Sequence, residues 1–109
     1  MRLNEYRIMW IMVFFDLPTE TVKDKRAYQI FRNNLKKDGF EMFQFSIYMR
    51  HCLSKEVADV HTKRVKGFLP QKGKVGILGI TDKQFGSMDL FDGREKEDLK
   101  PPPQQLEFF

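Results

Sequence analysis

Asp16 is the first residue in this sequence whose type and position could do chemistry. It ends the stretch Ile8–Asp16, IMWIMVFFD, in which eight apolar residues run unbroken into a single carboxylate. The nearest other acid beyond it is Glu20, across the turn Asp16-Leu17-Pro18-Thr19. On position alone an Asp here reads as a turn cap, because its side chain accepts hydrogen bonds from nearby amides. The competing chemistry is metal binding. Mg²⁺ is usually held by one or two carboxylates, with waters and substrate phosphates completing the shell. One Asp per chain makes a poor site of that kind, and a two-fold dimer brings two copies together.

Other candidate groups carry less. His51, Cys52 and His61 lack metal-pair spacing. His61 falls on the inner stripe of a helix and reads as a packing residue. Cys52 is the sole cysteine, so no internal disulfide is expected. No Ser sits in a nucleophile elbow, and no Gly-rich loop follows a strand, so triad hydrolysis and nucleotide-cofactor binding have no support. Cations are more promising. Lys23, Arg26, Arg32, Lys36 and Lys37 share one helix and could contact a phosphate backbone. Lys63-Arg64-x-Lys66 on a second helix reads as a solvated face.

The elements that must position these groups fit a chain of 109 residues, enough for one domain with a modest core. A 41% hydrophobic, 31% charged composition describes a globular protein and argues against disorder. No apolar run reaches the ~20 residues a membrane helix requires. Glu5 and Arg7 interrupt any signal-peptide pattern, and with a lone cysteine a cytoplasmic location is expected. Residues 1–87 hold 16 Lys/Arg against 9 Asp/Glu, a balance of +7. Residues 88–109 hold 3 against 6, a balance of −3. A basic body with a pI near 9.3 suits a partner rich in phosphate.

The apolar run has no alternation, so it predicts a central strand covered on both sides, with a buried helix as the alternative. Leu17-Pro18 ends it. A helix follows, from about Glu20 to Asp38, capped by Thr19 or by Thr21 with Asp24. Its stripe is read as Val22, Ala27, Ile30, Phe31 and Leu35, and Gly39 ends it. Phe40–Cys52 alternates, with Phe43, Phe45, Ile47 and Met49 on one face. Phe40, Met42, Gln44, Ser46 and Tyr48 form the other, which could be an interface. That segment is either one bent strand or a hairpin turning near Gln44–Ser46 without Gly or Pro. Ser54 caps a second helix, about Lys55 to Phe68, with Val57, Val60, His61, Val65 and Phe68 inward. Lys74–Thr81 is a strand and Ser87–Phe91 a short fifth one. Asp92–Pro103 is an extended connector, followed by the apolar tail Leu106–Phe109. The order β-α-β(β)-α-β-β predicts an α+β sandwich, the ferredoxin-like arrangement with two helices on one sheet face.

The stretches FFDLPTETVKDKRAYQIFRNNL, GFEMFQFSIY and KVGILGITDKQF together resemble the CRISPR-associated Cas2 family, in the form found beside type II systems. The resemblance covers roughly residues 6 to 91. It implies a β-α-β-β-α-β domain over residues 1–91, with the tail 92–109 packing on a partner subunit. It also implies a homodimer whose last strand is exchanged. Asp16 matches the family's metal-binding, catalytic acid, with Mg²⁺ as the expected cofactor. Arg26 falls in the family's basic helix, and Phe15 stands where many members carry Tyr. The implied function is a CRISPR adaptation scaffold that binds DNA or RNA backbone and bridges integrase dimers. Metal-dependent phosphodiester cleavage is a further implied activity. The alternative is a ferredoxin-like nucleic-acid-binding module without catalysis, using Phe40, Met42 and Tyr48 as exposed aromatic and apolar contacts.

Overall fold

In the computed structural model, which describes residues 7–93 and 95–97, the apolar run forms the centre of an antiparallel sheet. In chain order the elements are β1 (Met9–Asp16), α1 (Val22–Lys37), β2 (Glu41–Gln44), β3 (Ile47–Cys52), α2 (Lys55–Lys66), β4 (Lys74–Thr81), α3 (Asp82–Gly86), β5 (Leu90–Asp92) and β6 (Glu95–Glu97). Strand order in the main sheet is β2-β3-β1-β4. With α1 and α2 on one face, this is the ferredoxin-like α+β arrangement expected from the element order.

The two faces of β1 meet different partners. Ile11, Val13 and Phe15 point into the layer built by Phe31 and Leu35 of α1 and Ala58 and Val65 of α2. Trp10 and Met12 point the other way, under Phe85 of α3. The Trp10 and Phe85 rings stack at 4.1 Å, and the indole Nε1 donates to Asp82 at 2.7 Å. The cover does not reach the end of the strand. Phe14 stays 38% exposed and Leu78, on β4 opposite Met12, 49% exposed. The expectation of full cover on both faces thus holds only for the first half of β1.

Local signals set the helix ends. Thr21 and Asp24 form a reciprocal capping box at the start of α1, and Ser54 caps α2. Gly39, at φ 88°, follows the end of α1 in the left-handed conformation. The buried stripes are rotated from those expected. In α1 burial follows Tyr28, Phe31 and Leu35, while Val22, Ala27 and Ile30 face solvent. In α2 it follows Ala58, His61 and Val65, leaving Val57 and Val60 exposed. Steps of three and four residues fit either set of side chains, so the sheet, through Phe15 and Tyr48, selects the rotation.

Phe40–Cys52 is a hairpin, and the turn falls on Phe45 and Ser46. Among the described residues no non-Gly residue has positive φ, so the turn is not of the mirror-image type that suits two-residue loops. The register shift between Met42 and Gln44 adds the local twist that such a turn lacks. Two assignments change as a result. Phe45 leaves the apolar face shared by Phe43, Ile47 and Met49 and stands at the tip. Phe40 and Tyr48 are core residues, 3% and 0% exposed, and belong to no interface.

Beyond β4, the short helix α3 was not expected. Its capping box pairs Thr81 with Gln84. The fifth strand forms over Leu90–Asp92 but pairs with β6 in a separate two-stranded sheet, turning at Gly93. Part of the anticipated connector is therefore strand. The apolar tail Leu106–Phe109 lies outside the described residues.

Candidate functional site

Asp16 occupies the last position of β1 and is exposed. Its cross-strand partner is Lys74, the first residue of β4. Directly opposed residues of an antiparallel pair share a sheet face, so the Asp16 and Lys74 side chains leave the sheet on the same face at this rim. Phe14, Ser46, Ile47 and Gly76 line the same shallow hollow. The hairpin tip is tied to the rim by the Phe15 amide, which donates to the Ser46 carbonyl at 3.0 Å. From the other side the chain returns through Gly73, at φ 90°. A Cβ there would stand 2.6 Å from the Asp16 carbonyl oxygen. The rim is therefore assembled from three separate segments, and Lys74 and Ser46 join Asp16 only through tertiary pairing.

The donor set around Asp16 is small. Among the described residues no group of three or more His, Cys, Asp or Glu is placed to hold a metal ion. Among the described residues lining this hollow, Asp16 is the one carboxylate offered to a hard cation. That matches the lower end of what Mg²⁺ accepts from protein, with the rest left to water and phosphate.

The basic residues of α1 separate into two lines. Lys23, Arg26 and Lys37, with Ile30 among them, follow i, i+3, i+14 spacing on the outer surface, and all are exposed. Lys36 lies with Lys25 and Arg32 on a separate line about a third of a turn round the helix, which adds Lys25 to the set anticipated from sequence. Arg32 differs from the others. It is partly buried, and its Nε donates to the Tyr48 hydroxyl at 2.9 Å while its guanidinium carbon lies 5.8 Å from the centre of the Tyr28 ring. The hydrogen bond to Tyr48 raises the pKa of Arg32 further, so its charge is secure.

His61 is the packing residue anticipated, and it is fully engaged. Its Nδ1 lies 2.8 Å from Asp38, and its Nε2 2.9 Å from Nη2 of Arg50. Arg50 can only donate, so Nε2 accepts and Nδ1–H donates to Asp38. Arg64 donates to the other Asp38 oxygen at 3.0 Å. Burial pushes the Asp38 carboxyl up, but the hydrogen bonds from His61 and Arg64 outweigh it and hold the group below its ordinary value. His51 is shifted down by burial, and burial raises the Cys52 thiol to about 11, so that thiol is no nucleophile. These groups do not converge with Asp16 on one site.

Comparison with known proteins places this geometry. The family model described as CRISPR associated protein Cas2 matches residues 9–88. Two similar relatives are each named CRISPR-associated endoribonuclease Cas2. One, from Flavobacterium psychrophilum, is 57% identical over 108 residues, 99% of this chain and 94% of the relative. The other, from Parvibaculum lavamentivorans, is 46% identical over 101 residues, covering 93% and 100%. A third, from Ligilactobacillus salivarius and of the same name, is 40% identical over 92 residues, covering 84% and 91%.

Proposed function

We propose, because this chain belongs to the CRISPR-associated Cas2 family, that it serves CRISPR adaptation as a homodimeric scaffold. In that role it binds nucleic-acid backbone and bridges integrase dimers in the cytoplasm. The observation that carries the proposal is the uncovered end of the sheet. Phe14 and Leu78 stay exposed on one sheet face, Ile47 is half-buried between Phe14 and the Trp10–Met12–Phe85 cluster, and Asp16 and Lys74 line the hollow beside Phe14. Pairing two copies through that face removes it from water and draws both Asp16 rims toward one axis. We assign the tail 92–109, with an exchanged final strand, to the same contact on the second subunit; of it, only residues 92, 93 and 95–97 are among the described residues. The solvent-facing cations Lys23, Arg26, Lys36 and Lys37 then supply positive surface for phosphates.

A second reading, phosphodiester cleavage, is supported by the names of the relatives and by the place of Asp16. Two Asp16 carboxylates across a dimer axis suit the oxygen chemistry of Mg²⁺. The ion, when bound, polarises a phosphate and lowers the pKa of attacking water. The residues of this chain have simpler tasks there. Asp16 supplies the anionic ligand, and Lys74 offers an ammonium to a phosphate oxygen. Substituting Asp16 by Ala tests both readings. The scaffold reading expects the variant to dimerise, bind the integrase and support spacer acquisition while Mg²⁺-dependent cleavage disappears. Loss of acquisition with dimer and integrase binding intact would overturn the scaffold in favour of chemistry. Cleavage that survives in the variant would remove Asp16 from the reaction.

A further inference from the structure

Phe45 is 76% exposed at the tip of the β2–β3 hairpin, where turn chemistry ordinarily selects small polar residues. Its ring is not loose. It lies 6.4 Å from the Tyr28 ring with 31° between the planes, within the range of offset aromatic pairs. Tyr28 in turn is held edge-on by Phe15 at 5.9 Å and carries the Arg32 guanidinium at 5.8 Å. Arg32 is locked by its bond to the Tyr48 hydroxyl. The result is a short column, Arg32–Tyr28–Phe45, braced from the core and ending in an aromatic ring open to solvent. The residue after Phe45 is Ser46, whose carbonyl holds the Phe15 amide one position before Asp16. Beside the column lies a hollow lined by Leu17, Ala27, Tyr28 and Pro70, together with Lys23 and Lys72.

We infer that Phe45 is the outer end of a stacking platform that takes an unpaired nucleobase of a single strand, at the hairpin tip on the helix-covered side of the sheet. The inference rests on the nucleic-acid reading above and deepens it by naming the substrate form. A base has an aromatic face whatever its identity, so such a platform is tolerant of sequence. It discriminates by strandedness, because a base within a duplex already has both faces stacked. Lys23 and Lys72 line the hollow that Tyr28 borders, Lys72 lying 4.0 Å from Asp24, and Lys23 offers a cation there to the backbone of such a strand. A second copy of the chain is the weaker occupant. Tyr28 belongs to α1, so the column stands on the helix-covered side of the sheet, away from the apolar patch of Phe14 and Leu78.

The test uses the full chain and single-stranded oligonucleotides carrying 2-aminopurine, as RNA and as DNA of one sequence, with a blunt duplex as control. Stacking on Phe45 quenches the probe on binding. The Phe45→Ala variant should weaken single-strand affinity about tenfold and abolish the quench, since stacking on an aromatic side chain is the interaction removed. Its salt slope and duplex affinity should stay as they were, because no phosphate contact is lost. Phe45→Trp should restore both, and Phe45→Leu should not. Loss in both nucleic-acid arms assigns the platform to bases in general, and loss with RNA alone assigns it to RNA. Unchanged binding and quench in Phe45→Ala, with the wild type binding well, would sink the platform and leave the nucleic-acid reading standing. A weaker dimer in sedimentation of Phe45→Ala would hand the residue to a protein contact instead. A wild type that binds neither strand would overturn both.

Discussion

Asp38 accepts a hydrogen bond from Nδ1 of His61 at 2.8 Å, across 23 residues of sequence, and so ties the end of α1 to the middle of α2. Each side chain is only 10% exposed. Arg50 of β3 closes the chain of contacts through Nε2 of His61, which joins both helices to the sheet. One carboxylate thereby accepts from an imidazole and from Arg64, while Arg50 joins through the imidazole. Removing that carboxylate leaves the part-buried His61 Nδ1–H without its acceptor.

Substituting Asp38 by Ala should therefore cost about 2 kcal/mol, as expected when charged hydrogen bonds are lost beneath the surface. The pH dependence follows from the direction of the shift. A carboxyl held below its ordinary value of 3.8 contributes stability that is complete above that value. The contribution disappears as pH falls through the lowered folded-state value. Thermal unfolding between pH 7 and pH 2 should show a steep acid limb in the wild type. Asp38→Asn should flatten it, and parallel limbs would refute the assignment.

Gly73 and Gly39 both sit at φ near 90°, yet a Cβ would meet different obstacles at each. At Gly39 the nearest atom is the end of the Arg50 side chain, a flexible group that would have to shift against its contact with His61. At Gly73 it is the backbone oxygen of Asp16, which cannot move without disturbing the rim. Gly39→Ala should cost about 1–2 kcal/mol, the ordinary penalty for a left-handed alanine. Gly73→Ala should cost more and also displace Asp16. Chemical denaturation ranks the two, and equal costs would show that the Gly73 turn relaxes freely.

Leu78 lies in the patch proposed to pair two copies. Leu78→Lys should change domain stability by no more than ~0.5 kcal/mol, because an exposed position is altered. Self-association should fail, since two ammonium groups would be forced under an apolar contact. Sedimentation of a folded variant as a monomer is the expected reading. A dimer of undiminished strength would move the interface elsewhere.

The two lines of cations on α1 should separate in salt titrations. On duplex DNA the slope of log affinity against log salt is about −0.9 per phosphate neutralised, so Arg26→Ala should shallow it by roughly one. The loss should be uniform across sequences, because phosphate contacts position without specifying. Arg32→Ala should behave differently. It strands the buried Tyr48 hydroxyl, and a stability loss of ~1–3 kcal/mol should accompany any loss of binding. Arg32→Ala that binds weakly but melts like the wild type would make Arg32 a simple phosphate contact.

Much of this protein was legible in one dimension. The run ending at Asp16 marked the central strand and its rim. Thr21, Ser54 and Gly39 marked helix ends within a residue or two, and Lys74–Thr81 was read at its full extent. Those signals act between neighbours: a cap reaches three residues along the chain, and Pro18 restricts the residue beside it. What tertiary structure alone decided lies at longer range. The side of α1 turned inward, Lys74 opposite Asp16, and the His61 contact with Asp38 all depend on sheet register and on which side chains fill the core. The hairpin turn at Phe45 and Ser46 carries no residue that announces it, because a bulge between Met42 and Gln44 supplies the twist a glycine ordinarily allows. The short helix α3 then settled which half of β1 is covered, since stacking Phe85 on Trp10 closes one end of the sheet and leaves Phe14 open at the other.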